Sequence, residues 1–227
     1  MVKFKIFKRE TSEEDKENKM MLQLALDFTN KKKALKICKK VSRYIDIIEI
    51  GTPLIKAEGV DIIKSFKKFR KPILADMKTM DVGFLEEQLA YRHGANLATV
   101  CGTASDETIK RAIKASKKYK KKIVVDLISV KNKFKRAKQV LKWGANYICV
   151  HTGIDIQRKG GSPFRDLIKL SKLINKKKIC VAGGITLKTI DLVIKYKPGI
   201  VVVGGGITKA KNPEKTTREI KDKIKNA

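Results

Sequence analysis

From Met21 onward, short apolar or β-branched runs alternate with longer stretches of helical period. The runs are LQLALD (22–27), IDIIEI (45–50), PILADMK (72–78), NLATVC (96–101), KIVVDLI (122–128), ANYICVH (145–151), KICVAG (178–183) and GIVVVG (199–204). Their length and composition predict strands. Between them lie segments such as KKKALKICKKVSRY and SDETIKRAIKASKKY, whose apolar residues recur every three or four positions, as on one face of a helix. The count is eight strands, each followed by one helix. Residues 1–20 read differently: an alternation of apolar and basic residues, then a wholly polar stretch. They are expected to form an edge strand or a flexible arm outside a single catalytic domain spanning 21–227.

Eight βα units in about 200 residues is the size and order of a parallel (β/α)8 TIM barrel of the α/β class. An open doubly wound sheet has fewer strands and would leave units over. A barrel interior is filled by branched apolar side chains, and its chemistry collects at the carboxyl ends of the strands. Here those ends carry the unusual residues: Asp27, Glu49, Asp76 with Lys78, Asp126, His151, Gly183 with Gly184, and Gly204 with Gly205. One class of position repeatedly breaks the apolar rule, which favours the barrel and marks one mouth as the site.

Composition narrows the classes further. There are 53 Lys+Arg against 23 Asp+Glu, a net charge of +30, yet aromatic residues are only 6% of the chain. A stacking platform for single-stranded nucleic acid therefore has little to work with. The lysine runs at 31–33, 120–122 and 176–178 fall on or beside outer helices. They read as a solvated basic surface, with nonspecific nucleic-acid association at low salt and steering of anionic substrates as its physical consequences. The cysteines, Cys38, Cys101, Cys149 and Cys180, show no CxxC or zinc-finger spacing and are expected to be reduced thiols of a cytoplasmic protein. No run of 18 apolar residues and no signal-peptide core occurs, so no membrane partner is expected.

Period-2 alternation assigns the strand faces. It points Leu74, Asp76 and Lys78 inward, opposite the apolar face of Ile73, Ala75 and Met77. It likewise sends Gln23, Ala25 and Asp27, then Ile45, Ile47 and Glu49, into the barrel. Three carboxylates and one ammonium thus converge at one end. A purely structural ion network is the bland alternative, but apolar fillers would serve stability without the desolvation cost. Glu49 and Asp76 could jointly hold a hard cation such as Mg2+, which typically takes one or two carboxylates and completes its shell with water and substrate oxygens. Lys78 and Asp27 would stand beside it or bond the substrate. His151, on the inward parity of Tyr147 and Cys149, is the side chain that titrates near neutral pH and so a candidate acid–base group.

The last two strands end in VAGGI (181–185) and VGGGI (203–207). Glycine lets backbone N–H groups approach an anion, and in barrels the loops after strands seven and eight are the frequent phosphate site. Gly183, Gly184, Gly204 and Gly205 are therefore the expected cradle of a phosphorylated ligand.

LALD, EIGTPL, ADMKTMD, VHTGIDIQ and VAGGI, in this order over about residues 21–210, resemble the 3-hexulose-6-phosphate synthases of the orotidine 5'-monophosphate decarboxylase superfamily. The superfamily mark Asp-x-Lys-x-x-Asp is present as Asp76, Lys78 and Asp81. Orotidine decarboxylases have a Lys where this chain has Glu49. The metal-dependent 3-keto-L-gulonate 6-phosphate decarboxylases have an Arg at the positions of Ile154 and Gly205. The resemblance implies a Mg2+-dependent aldol reaction between formaldehyde and the phosphorylated sugar ribulose 5-phosphate, or its reversal. It implies His151 as the base at C1, and Lys78 balancing charge with Asp27 and Asp81. It also implies a homodimer in which Asp81 reaches the neighbouring site.

Overall fold

The structure is a computed structural model that describes residues 19–227; the expected N-terminal arm lies almost wholly outside the described residues. Eight strands, β1 (Met21–Leu26), β2 (Ile47–Ile50), β3 (Ile73–Thr79), β4 (Leu97–Cys101), β5 (Lys122–Asp126), β6 (Tyr147–His151), β7 (Ile179–Ala182) and β8 (Ile200–Val203), pair in parallel and in chain order. The barrel closes where Gln23 of β1 faces both Ile47 of β2 and Val202 of β8.

The predicted alternation divides the apolar side chains into two layers. Ala25, Ile47, Leu74, Val124, Cys149 and Val202 belong to a small cluster that fills the barrel. Leu22, Leu24, Ile48, Ile73, Ala75 and their counterparts face the helices in a larger one. Ile45 is an exception. It precedes β2, behind a 3-10 turn at Ser42–Tyr44, and packs in the outer layer, because the extended alternation does not reach back that far.

The outer helices are α1 (Lys31–Val41), α2 (Thr52–Glu58), α3 (Gly83–Arg92), α4 (Asp106–Lys118), α5 (Lys133–Trp143), α6 (Ile154–Gln157), α7 (Phe164–Leu173), α8 (Asp191–Ile194), α9 (Gly205–Thr208) and α10 (Pro213–Lys225). Asn30, Asn132 and Asn212 cap α1, α5 and α10 by accepting a backbone N–H three residues on, which satisfies a donor the helix leaves free. In α1 only Ala34, Cys38 and Val41 are buried. That narrow stripe lets the six lysines of the segment stay in water, and each buried Val or Ile of such a stripe contributes about 1.5–3 kcal/mol.

The expectation of one helix per strand is corrected at three places. After β2, Gly59 at φ +75 ends α2 and a 3-10 segment (Val60–Phe69) follows. After β6, Gly160 at φ +84 and Pro163 separate α6 from α7. After β8, α9 and α10 are distinct. Each break leaves a short helix at the carboxyl end of the barrel.

Candidate active site

All five charged or ionisable residues predicted from the ends of strands 1, 2, 3 and 6 come together at that mouth. Glu49, 8% exposed, ends the inward face of β2 and accepts a hydrogen bond from Gln23 Nε2 at 2.6 Å. Asp76, 4% exposed, accepts from Thr52 Oγ1 at 2.8 Å, Thr99 Oγ1 at 2.8 Å and Lys78 Nζ at 2.8 Å. Asp27 sits on the exposed rim just past β1. Its Oδ1 lies where a side chain on Gly51 would begin, 2.2 Å from that ideal Cβ. Gly51 is thus what gives Asp27 its place over the mouth.

Lys78 owes its position to an irregularity in β3. Between Ala75 and Thr79 the strand advances four residues while β4 advances two, from Ala98 to Val100. Lys78 takes the excess at φ +48, a conformation that costs a non-glycine residue about 1–3 kcal/mol. Its backbone N–H is held by Thr99 Oγ1 at 2.9 Å, and its ammonium reaches Asp126 Oδ2 at 3.1 Å as well as Asp76. Burial by itself would lower the Lys78 ammonium, but Asp76 and Asp126 outweigh it and hold the group protonated well above its usual range.

Asp126, at the end of β5, was expected at the mouth but without a role. It is 3% exposed and accepts from His151 Nδ1 at 2.8 Å, Lys78 Nζ at 3.1 Å and the Ile128 N–H at 2.9 Å. Burial favours its protonation, yet the His151 hydrogen bond and the cationic neighbours bring its pKa down to about 2. With His151 Nδ1–H donated to Asp126, the imidazole keeps its Nε2 lone pair for the mouth.

The remaining carboxylates behave oppositely. Desolvation, then Asp76 and Asp27, push Glu49 up to about 8. Desolvation and Asp76 also raise Asp27. The mouth is short of positive charge.

Gly183 and Gly184 follow β7 with φ of +108 and +67. A Cβ on Gly183 would stand 2.4 Å from the Thr152 carbonyl oxygen, so glycine is obligatory there. Gly204 and Gly205 open the one-turn helix α9. The two glycine pairs therefore flank the mouth on the β7–β8 side. Asp81 does not join the cluster of its own barrel: it is exposed, and its Oδ1 accepts the Val82 N–H at 2.7 Å. All four cysteines are free and buried. Among the described residues no helix is long and apolar enough to cross a membrane.

The profile of the Orotidine 5'-phosphate decarboxylase / HUMPS family matches residues 20–220. The chain belongs to that family. Within it, the chain is 44% identical over 207 residues to the 3-hexulose-6-phosphate synthase of Bacillus subtilis, covering 90% of this chain and 99% of that one. A crystal structure of 3-hexulose-6-phosphate synthase from Salmonella typhimurium superposes with a TM-score of 0.88 at 40% identity, over 91% and 99% of the two chains. The 3-keto-L-gulonate-6-phosphate decarboxylase of Vibrio cholerae gives a TM-score of 0.80 at 26% identity over 92% and 98%. The family likeness thus spans the whole barrel, and identity is higher to these synthases than to that decarboxylase.

Among the described residues no group of three or more His, Cys, Asp and Glu side chains is arranged to hold a metal ion. A Mg2+ site does not require one, because one or two carboxylates suffice when water and substrate supply the rest. Glu49 and Asp76 fit that role. They are all-oxygen donors, adjacent and buried, and the upward push that Asp76 and Asp27 exert on Glu49 is the repulsion a divalent cation would relieve.

Proposed function

We propose that this chain is a 3-hexulose-6-phosphate synthase: an aldehyde-lyase that joins formaldehyde to D-ribulose 5-phosphate, giving D-arabino-hex-3-ulose 6-phosphate, or runs the reverse cleavage. The observation that carries the reading is one mouth uniting a carboxylate pair, Glu49 and Asp76, with an imidazole fixed by Asp126. An orotidine decarboxylase would have a cation in place of Glu49.

Glu49 and Asp76 would hold Mg2+, which when bound supplies Lewis acidity at the substrate carbonyl. The protein's own groups do the rest. Backbone N–H groups at Gly183, Gly184, Gly204 and Gly205 receive the phosphate. His151 Nε2 removes the C1 proton of the ketose, and Asp126 stabilises the imidazolium that results. The C1 carbon then attacks formaldehyde, forming the new carbon–carbon bond, and the alkoxide produced takes up a proton. The Lys78 ammonium offsets the negative charge that develops near Asp76, with Asp27 bonding substrate hydroxyls at the rim.

Asp81 belongs, on this reading, to the site of a second copy. Its surroundings suit such a contact: Met80, Val82 and Leu85 are each 53% exposed and Leu89 is 39% exposed. Apolar side chains gathered around one connection mark an interaction surface. Nucleic acid is expected to bind only through nonspecific, salt-sensitive contact with surface lysines.

The test is a coupled assay of the pure protein with ribulose 5-phosphate and formaldehyde, with and without Mg2+. Hexulose phosphate formation that chelator abolishes and Mg2+ restores is the expected result. Release of CO2 from 3-keto-L-gulonate 6-phosphate as the faster reaction would favour the decarboxylase instead, although Ile154 and Gly205 stand where that enzyme has Arg.

A further inference from the structure

The segment VHTGIDIQ, which carries the base, ends in a residue with no part in the chemistry above. Gln157 closes α6, a one-turn helix formed as the Ile156 and Gln157 N–H groups return to the Gly153 carbonyl oxygen at 3.1 and 3.0 Å. Within that turn Ile154, Asp155 and Ile156 are exposed, and Gln157 alone is half-buried. Its Nε2 donates to the Thr152 carbonyl oxygen at 2.6 Å. The same carboxamide lies over the glycine pair that follows β7. Nε2 is 3.2 Å from where a Cβ on Gly183 would stand, and Oε1 is 3.5 Å from that of Gly184. Gln157 and the Thr152 carbonyl thus fill the space that two absent side chains leave.

The glycine pair cannot hold its shape unaided. Gly183 and Gly184 have φ of +108 and +67, and glycine has more backbone freedom than any other residue. External contacts must select one conformer if an anion is to find the N–H groups preorganised. On the helix side, Thr189 Oγ1 donates to the Gly184 carbonyl oxygen at 3.1 Å and accepts the Thr186 N–H at 2.9 Å. On the barrel side, the Thr152 N–H donates to the Ala182 carbonyl oxygen at 3.2 Å, and the Thr152 carbonyl stands against Gly183. Gln157 holds that carbonyl in turn. His151, one residue earlier, has its own tether in Asp126 at 2.8 Å. Loss of Gln157 therefore reaches the glycines and spares the base.

We propose that Gln157 is a positioning residue for the phosphate. Through the Thr152 carbonyl, and by packing over Gly183 and Gly184, it keeps the β7 half of the cradle in the shape that binds the anion. This rests on the reading of these glycines as a phosphate site, and its binding test needs no turnover. Gln157→Met, close in size but without a donor, and Gln157→Glu, equal in size but negatively charged, are compared with wild type. The probe is inorganic phosphate at constant ionic strength, followed on the amide resonances of Gly183 and Gly184. Gln157→Met should bind it about tenfold more weakly, the worth of one hydrogen bond. Gln157→Glu should lose about tenfold more, since it sets a like charge beside the anion. In the synthase assay, Gln157→Met should raise KM for ribulose 5-phosphate by about the same tenfold and leave kcat within about threefold, the pattern of lost uniform binding. Exchange of the C1 proton of ribulose, which lacks the phosphate, should run equally in wild type and Gln157→Met. Wild-type phosphate affinity in either variant would overturn the proposal. So would a fall in kcat at unchanged KM, which would move Gln157 to the base, or impaired exchange of ribulose, which would make its role merely structural. Glycine resonances that do not answer to phosphate in the wild type would overturn it too. If phosphate affinity followed Gln157 while the wild type made no hexulose phosphate, the synthase reading would fall and the positioning role would stand.

Discussion

Replacing Glu49 by Gln should stabilise the metal-free protein while removing its activity, and the gain should depend on pH in a fixed direction. The native pKa of about 8 stands against an ordinary 4.5. For an acid whose pKa rises on folding, the native state holds its proton more tightly than the unfolded chain. Stability from this group is therefore complete below ~4.5, declines as pH rises toward about 8, and is flat above. The gap corresponds to about 4–5 kcal/mol in the limit of independent titration, and less once Asp76 and Asp27 adjust with it. Gln carries no charge at any pH and its carbonyl oxygen can still accept from Gln23. The measurement is urea unfolding of both proteins in chelator from pH 5 to pH 9. The two should be nearly equal at pH 5, and the variant should be ahead by several kcal/mol at pH 9. Mg2+ at saturating concentration should then raise the wild type but not the variant, because only a ligand that binds the native state shifts the equilibrium. A difference that does not change with pH, or a variant less stable at pH 9, would refute the reasoning. Equal stabilisation of both by Mg2+ would remove Glu49 from the metal site.

Three further expectations rest on the same geometry. Lys78→Ala and Asp81→Ala should each be inactive, and random mixing of the two should restore about a quarter of wild-type activity, since half the dimers are mixed and one of their two sites is intact; no recovery in demonstrably exchanged dimers would count against a shared site. His151→Ala should slow exchange of the ribulose 5-phosphate C1 proton with deuterated water by roughly 10²–10⁴-fold, the usual worth of a placed general base, followed by proton NMR without formaldehyde. Gly183→Ala should lower stability by about 1–3 kcal/mol, because of its φ of +108 and the Thr152 carbonyl 2.4 Å from the added Cβ, and should raise KM for the phosphorylated sugar more than it lowers kcat.

The barrel was legible because its signal is repeated eight times and each repetition constrains the others. The inward carboxylates were legible for a different reason: Glu49 and Asp76 stand at positions where alternation demands an apolar filler. Asp126 obeyed the same rule, but its partners lie 25 and 48 residues away, and nothing local in VVDLIS distinguishes a tether for His151 from a turn residue. Thr52 and Thr99 were missed, and Gln23 was pointed inward without a role, because neutral hydroxyls and amides are unremarkable in a strand or turn until the acid they serve is in place. The bulge at Lys78 has no trace in ADMKT, since it arises from how β3 and β4 pair. The splits after β2 and β6, by contrast, were available in Gly59, Gly160 and Pro163.

The charge distribution supports a division of labour between the two sides of the mouth. The chain carries a net +30, yet among the described residues Asp27, Glu49, Asp76 and Asp126 face one permanent cation, Lys78, at the site. Two unit charges 4 Å apart interact by about 4 kcal/mol at an effective dielectric of 20, while surface lysines farther than the ~8 Å Debye length act mainly on approach. An anionic sugar arriving at the mouth is therefore drawn by the outer field and repelled by the inner one. The phosphate end escapes that repulsion if it is held by uncharged backbone N–H groups on the β7–β8 side, away from the acids that end β2, β3 and β5. The reacting end cannot escape it, because proton removal at C1 adds negative charge next to Asp76. Lys78 is already shared between Asp76 and Asp126 and has no charge to spare. A further positive charge at Glu49 and Asp76 is what the arrangement demands. A lysine in place of Glu49 would meet that demand from the protein itself, whereas a carboxylate there leaves it to a divalent cation.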